Sequence, residues 1–257
     1  MRHVDLNHEV HGPPDGQPVV LVHSLGMALD LWDRLAPALV ERYRVVRLDL
    51  RGHGWSPAPH GPYTVDVLAD DVLRLADRLG LDRFALVGLS IGGTVGQTIA
   101  VREPDRLTAL AACCTGPKLG DPDEWRDRAV RVRAEGTSWL VDSSIARWFT
   151  PAFAARHPDE VDRVVRMLLT TSPEGYAASC EALAAFDLTD RIGEITAPTR
   201  LVIGSQDPLA PPDLGQRMAD AIPRADLVVL DGTAHLANVG QPDRFNAAVL
   251  EHLEKHL

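Results

Sequence analysis

Six short apolar runs, at residues 19–23, 43–48, 84–88, 107–114, 200–203 and 227–230, alternate along the chain with longer segments of helical period. Strands this uniformly apolar suit a parallel sheet covered on both faces, where neither side of a strand meets water. Between them, residues 65–79 set Val65, Leu68, Val72, Leu75 and Leu79 on one helical face, with Asp66, Asp70, Asp71, Arg74 and Asp77 turned outward. Residues 91–101 follow a strand directly and are closed by Glu103-Pro104, and residues 244–257 form a terminal helix. Strand-then-helix repetition predicts an α/β fold, a mostly parallel doubly wound sheet. From about Gly116 to Arg191 the rhythm breaks into a helical stretch without β-branched runs, and the sheet pattern resumes at Thr199. The expected organisation is a core of residues 1–115 and 192–257 with an inserted helical cap of residues 116–191, placed at the carboxyl edge of the strands, where doubly wound folds hold ligands.

Chemistry is concentrated at Gly88-Leu89-Ser90-Ile91-Gly92-Gly93, which follows the strand Phe84-Ala85-Leu86-Val87 and opens a helix. In that strand–turn–helix setting GxSxG reads as a nucleophile elbow. The glycines on either side of Ser90 leave room for a turn too tight for a Cβ, and the strained serine presents its Oγ above the sheet. A hydroxyl needs a base to become a useful nucleophile. Of ten histidines, His235 stands apart: it follows the last apolar strand in the small-residue loop Asp231-Gly232-Thr233-Ala234. The carboxylate that orients such an imidazole is assigned to Asp207, in the loop after the strand at 200–203. Asp231, on the same connection as His235, reads as a turn cap. Oxyanion donors are expected from the Ile91 amide, next to the nucleophile, and the Leu25 amide, in the loop after an early strand. His23 in that loop is a candidate to line the site or to support it. The Arg51-Gly52-His53-Gly54-Trp55-Ser56 turn lacks GK[ST] and reads as a rigid fold element.

These motifs resemble the α/β-hydrolase superfamily, whose chain order Ser, Asp, His matches Ser90, Asp207 and His235. Within it the chain is most similar to 3-oxoadipate enol-lactonases, through Ser24-Leu25-Gly26 with Trp32, Asp49-Leu50-Arg51-Gly52-His53-Gly54, Trp125 with Arg128, and Arg147-Trp148-Phe149-Thr150-Pro151-Ala152-Phe153. Thr171-Ser172-Pro173-Glu174-Gly175-Tyr176, Cys180-Glu181-Ala182-Leu183 and Ala234-His235-Leu236-Ala237-Asn238-Val239 extend the likeness. The chain departs from that pattern at His23, Ile91 and Gly240. The resemblance implies serine-dependent opening of an ester or lactone, of the 3-oxoadipate enol-lactone type, with no metal and no cofactor. Such a lactone carries a free carboxylate, and arginine forks pair with carboxylates. Arg128, Arg133 and Arg147, near Trp125, Trp139 and Trp148, are therefore candidates for substrate contact.

Alternative chemistries on the same frame are another esterase, a C–C bond hydrolase, a perhydrolase, or a lyase or cyclase acting on an aromatic or polyketide intermediate; from a different class, a receptor-like ligand binder. Lys and Arg total 26 against 36 Asp and Glu, a formal charge of −10. That balance disfavours nucleic acid as a partner. No secretory leader or membrane span is expected, the three cysteines write no disulfide framework, and a cytoplasmic protein follows. A small molecule is the expected partner, and a homo-oligomer is left open.

Overall fold

A computed structural model describes residues 3–257. Seven strands appear in it: β1 (His8–His11), β2 (Gln17–Val22), β3 (Tyr43–Leu48), β4 (Phe84–Leu89), β5 (Leu107–Cys113), β6 (Thr199–Gly204) and β7 (Ala225–Leu230). They form one sheet in the order β1-β3-β2-β4-β5-β6-β7. β1 runs antiparallel to β3, with His8 opposite Leu48, and the other pairs are parallel. All six expected runs are strands. β1 escaped the sequence reading because it is a four-residue, largely exposed edge strand with no apolar stripe.

Helices α1 (Ala36–Leu39), α2 (Val65–Arg78) and α3 (Ile91–Arg102) connect the first strands. α3 is buried along nearly its whole length, from Ile91 to Val101. β4 is buried at every position, and burying side chains such as those of Phe84 and Leu86 contributes about 1.5–3 kcal/mol each. Between β5 and β6 lie α4 (Pro122–Glu135), α5 (Val141–Trp148), α6 (Pro151–Arg156), α7 (Pro158–Thr170) and α8 (Pro173–Ala185). Their starts are written locally. Asp121 accepts the amides of Asp123 and Glu124 ahead of α4, Ser172 accepts Gly175 ahead of α8, and both of these helices have proline in their first turn. α9 (Pro212–Ala221) follows β6, and α10 (Ala237–Gly240) and α11 (Pro242–His256) close the chain. Among the described residues no helix is long and apolar enough to cross a membrane.

One local expectation changes. Asp71, read as outward-facing on α2, is buried and paired with the buried Arg51 and with Arg74. A buried guanidinium demands a carboxylate, and that need overrides the helix's polar stripe. The same pair explains the glycine-rich turn after β3 as structure. Asp49, also buried, accepts the amides of Leu29 at 2.7 Å and Trp55 at 2.9 Å and pins the turn.

The topology itself creates the site. From β2 the chain adds β3 on one side, then crosses to place β4 on the other. The carboxyl ends of β2 and β4 therefore flank a switch point, the crevice where open α/β sheets bind ligands.

Candidate active site

Because β2, β4, β6 and β7 are parallel, the loops carrying Leu25, Ser90, Asp207 and His235 all leave the same sheet edge. Ser90 occupies the sharp turn between β4 and α3 with φ 57° and ψ −116°. A non-glycine residue held there stores about 1–3 kcal/mol of strain. The turn is as tight as the flanking glycines imply: a Cβ on Gly88 would lie 2.2 Å from the Gly92 carbonyl oxygen, and one on Gly92 would lie 2.1 Å from that of Val22.

The β6 and β7 loops are zipped together. Ser205 N–H donates to the Leu230 carbonyl and Gln206 N–H to that of Thr233, each at 2.9 Å. This brings Asp207 and His235, both buried, to 2.9 Å between Oδ2 and Nδ1. The other oxygen, Oδ1, accepts the amides of Leu209 at 2.9 Å and Ala210 at 3.1 Å. Burial alone would raise the Asp207 pKa; the charge and hydrogen bond of His235, with those two amides, outweigh it and hold the carboxyl below its ordinary value. Asp231 is exposed and takes the hydroxyl of Ser205 instead.

Ser90 and His235 line one cavity with Ser24, Leu25, Leu209 and seven side chains from the inserted helices: Trp125, Arg128, Ser144, Arg147, Trp148, Tyr176 and Leu183. The amides of Leu25 and Ile91 donate to no protein acceptor among the described residues. The Ile91 amide also sits at the N-terminus of α3, where the helix field favours negative charge. The insertion is tied to the loop after β7 through its backbone, since the amides of His235 and Leu236 donate to the carbonyls of Arg147 and Trp148 at 3.4 and 3.1 Å. The free volume is about 30 Å³, room for only a few waters.

Two cations face this space. Arg128 lies with its guanidinium carbon 4.6 Å from the Trp125 ring centroid, and neither Arg128 nor Arg147 has a carboxylate partner among the described residues. Burial and the neighbouring charge of Arg128 lower the Arg147 pKa.

The family model for the alpha/beta hydrolase fold matches residues 17–242. The chain belongs to the α/β-hydrolase fold family. Within it, 3-oxoadipate enol-lactonase 2 of Acinetobacter baylyi is 36% identical over 246 residues, covering 96% of this chain and 92% of that protein. A putative carbamate hydrolase, RutD, of a Caulobacter species is 33% identical, covering 96% of this chain and 95% of that one. The crystal structure of the enol-lactonase from Burkholderia xenovorans LB400 matches with a TM-score of 0.95 at 38% identity, covering 98% of this chain and 97% of its own. The motif resemblance to α/β-hydrolases, and among them to enol-lactonases, therefore holds over nearly the whole chain.

Of the residues the sequence offered for substrate contact in this α/β-hydrolase, Trp125, Arg128, Arg147 and Trp148 line the cavity, and three do not. Arg133 is held by Glu174 and Glu181 on α8. Trp139 lies beneath the guanidinium of Arg131, 3.9 Å from its ring centroid. His23 is fully buried with both ring nitrogens engaged: Nδ1–H donates to the Ser24 carbonyl at 2.7 Å and Nε2 accepts the Leu50 amide at 3.0 Å. It supports the Leu25 loop from below. Tyr176, Ser144, Leu183, Leu209 and Ser24 were missed as cavity residues. Tyr176 and Leu183 had a signal, since both end stretches that carry the enol-lactonase resemblance; in the structure Tyr176 packs on Gly26 so closely that a Cβ there would lie 3.0 Å from its ring.

Proposed function

We propose that this α/β-hydrolase is a serine-dependent hydrolase of a small lactone or ester bearing a carboxylate, of the 3-oxoadipate enol-lactone type. Ser90 Oγ attacks the lactone carbonyl as His235 takes its proton, and Asp207 holds the imidazole in the tautomer with Nε2 free to act. The Leu25 and Ile91 amides receive the oxyanion, an arrangement worth ~10²–10³ in rate per donor. His235 returns its proton to the departing enolate, whose ketonisation draws ring opening forward. Water, activated by the same imidazole, then frees the acyl group from Ser90.

The observation that carries the substrate class is the pair Arg128 and Arg147 in an otherwise mostly apolar cavity. Two like charges sharing a partly buried space are costly together, and a substrate carboxylate relieves that cost while anchoring the ligand opposite His235. The inserted helices serve as the cap that closes over it.

A second reading, carbamate hydrolysis, is favoured by relatives named as putative carbamate hydrolases at 30–33% identity. The same serine chemistry applies to a carbamate carbonyl. A panel of the enol-lactone, a neutral aryl ester and carbamate separates the two. The expected result is kcat/KM for the enol-lactone at least about a hundredfold above the others, the scale of a good charged anchor; carbamate leading the panel would replace the lactonase reading.

A further inference from the structure

The strained Ser90 is gripped at a point the triad chemistry does not use. Its carbonyl oxygen accepts two hydrogen bonds, from the Thr94 amide at 3.0 Å in the first turn of α3 and from the Thr115 hydroxyl at 2.9 Å. Thr115 reaches that oxygen from the end of β5. Cys113 lends its carbonyl to the Ser90 amide at 2.9 Å, and Cys114 then turns the chain through φ 45°. Ser90 and Cys114 are the only non-glycine residues with positive φ among those described. The Cys114 amide is fixed to the Val202 carbonyl at 2.8 Å. Two adjacent strained turns thus exist side by side, and one delivers a hydroxyl to the other.

That hydroxyl is itself braced. Gln97, fully buried on α3, has Nε2 3.4 Å from Thr115 Oγ1, 3.2 Å from the Gly93 carbonyl and 3.2 Å from the Gly116 carbonyl. Three acceptors around one nitrogen fix which end of the amide points inward. Gly93 has its own reason to be glycine here: a Cβ would lie 2.6 Å from Thr115 Cγ2.

The Ser90 carbonyl and the Ile91 N–H belong to one peptide unit, which is planar and trans, so their bonds point in opposite directions. Whatever clamps the oxygen aims the N–H. We propose that Thr115, braced by Gln97, is a positioning residue that fixes the Ser90–Ile91 peptide plane and so directs the Ile91 amide at the developing oxyanion. A hydrogen bond received at the carbonyl also polarises the peptide and strengthens its N–H as a donor. This rests on the serine-hydrolase reading above and adds a residue to it.

The test compares Thr115→Ser with Thr115→Ala in steady-state hydrolysis of p-nitrophenyl acetate, together with binding of phenyl trifluoromethyl ketone, whose adduct with Ser90 carries an oxyanion. Thr115→Ser keeps the donor and stays within about threefold of wild-type kcat. Thr115→Ala loses about 10- to 100-fold in kcat with KM nearly unchanged, and its affinity for the ketone falls in parallel. A Ser-to-Ala ratio in kcat below about five overturns the proposal, since bulk rather than the hydroxyl would then matter. Gln97→Met, which leaves Thr115 in place, gives a second route should Thr115→Ala not fold: kcat falls with KM held, and an unchanged kcat overturns the brace. Fluorophosphonate labelling of the wild type checks the underlying reading separately; no adduct on Ser90 removes that reading and this one with it.

Discussion

His235 and Asp207 sit 2.9 Å apart in loops from neighbouring parallel strands, and the carboxylate's second oxygen is already taken by two backbone amides. Asp207 is therefore fixed independently of the imidazole beside it. Asp207→Asn preserves the packing but offers an N–H or a weaker acceptor to Nδ1, favouring the wrong tautomer. The expected loss in kcat is on the order of 10³–10⁴ with thermal stability close to wild type. A loss below tenfold in aryl-ester hydrolysis would show that His235 needs no carboxylate here.

Charge recognition is tested by changing Arg128 and Arg147 singly to Ala. Each variant should raise KM for a carboxylate-bearing ester about tenfold or more, the worth of one charge-assisted contact, while p-nitrophenyl acetate hydrolysis stays within about threefold. Equal losses on the charged and the neutral ester would assign these residues to cap packing instead.

Stability should fall on the acid side for a reason visible in the core. Burial depresses His23 to about 4, His53 to about 3, where the charge of His23 adds to it, and His252 to about 4. In each case the unfolded chain binds the proton more readily, so the contribution is fully present above the ordinary value of 6.5 and is lost as pH falls toward the folded values. At one pKa unit per about 1.4 kcal/mol, each group costs on the order of 2 kcal/mol by pH 5. A melting temperature roughly 10 °C lower at pH 5 than at pH 7.5 is expected by calorimetry. A flat profile over that span would mean these imidazoles are solvated or paired.

Crowding beside the elbow gives a packing test. Gly93→Ala drives a Cβ into Thr115 Cγ2 and should cost about 1–3 kcal/mol. Adding Thr115→Gly, which removes that methyl together with the Cβ and Oγ1 that a Cβ on Gly93 would meet at 2.7 and 2.9 Å, should restore much of the loss. Equal destabilisation in the single and double variants, read from denaturant midpoints, would place the conflict elsewhere.

How much of this was legible beforehand depended on whether the signal was local. The apolar runs and the Gly88–Gly92 frame are local, so the strands and the tight turn at Ser90 were readable, and so was the placement of Ser90, Asp207 and His235 on loops that leave one sheet edge. Arg128 and Arg133, five residues apart on α4, look alike in sequence. Their fates diverge because Glu174 and Glu181, seven residues apart on one face of α8, capture Arg133, and only the packing of α8 on α4 reveals that. Asp71 was misread, and His23 was left between lining and supporting the site, for the same reason, each being defined by a distant partner: the Arg51 guanidinium and the Leu50 amide. Thr115 carried no signal until β5 and the elbow were side by side.

The central claim, that Ser90 is the reactive hydroxyl of an ester- or lactone-opening site, is tested most directly by mass spectrometry of the protein treated with a fluorophosphonate. The expected result is a single adduct located on Ser90, lost in Ser90→Ala together with aryl-ester hydrolysis, while that variant unfolds within a few degrees of wild type. An adduct on another residue, or hydrolysis that survives in Ser90→Ala, contradicts the account.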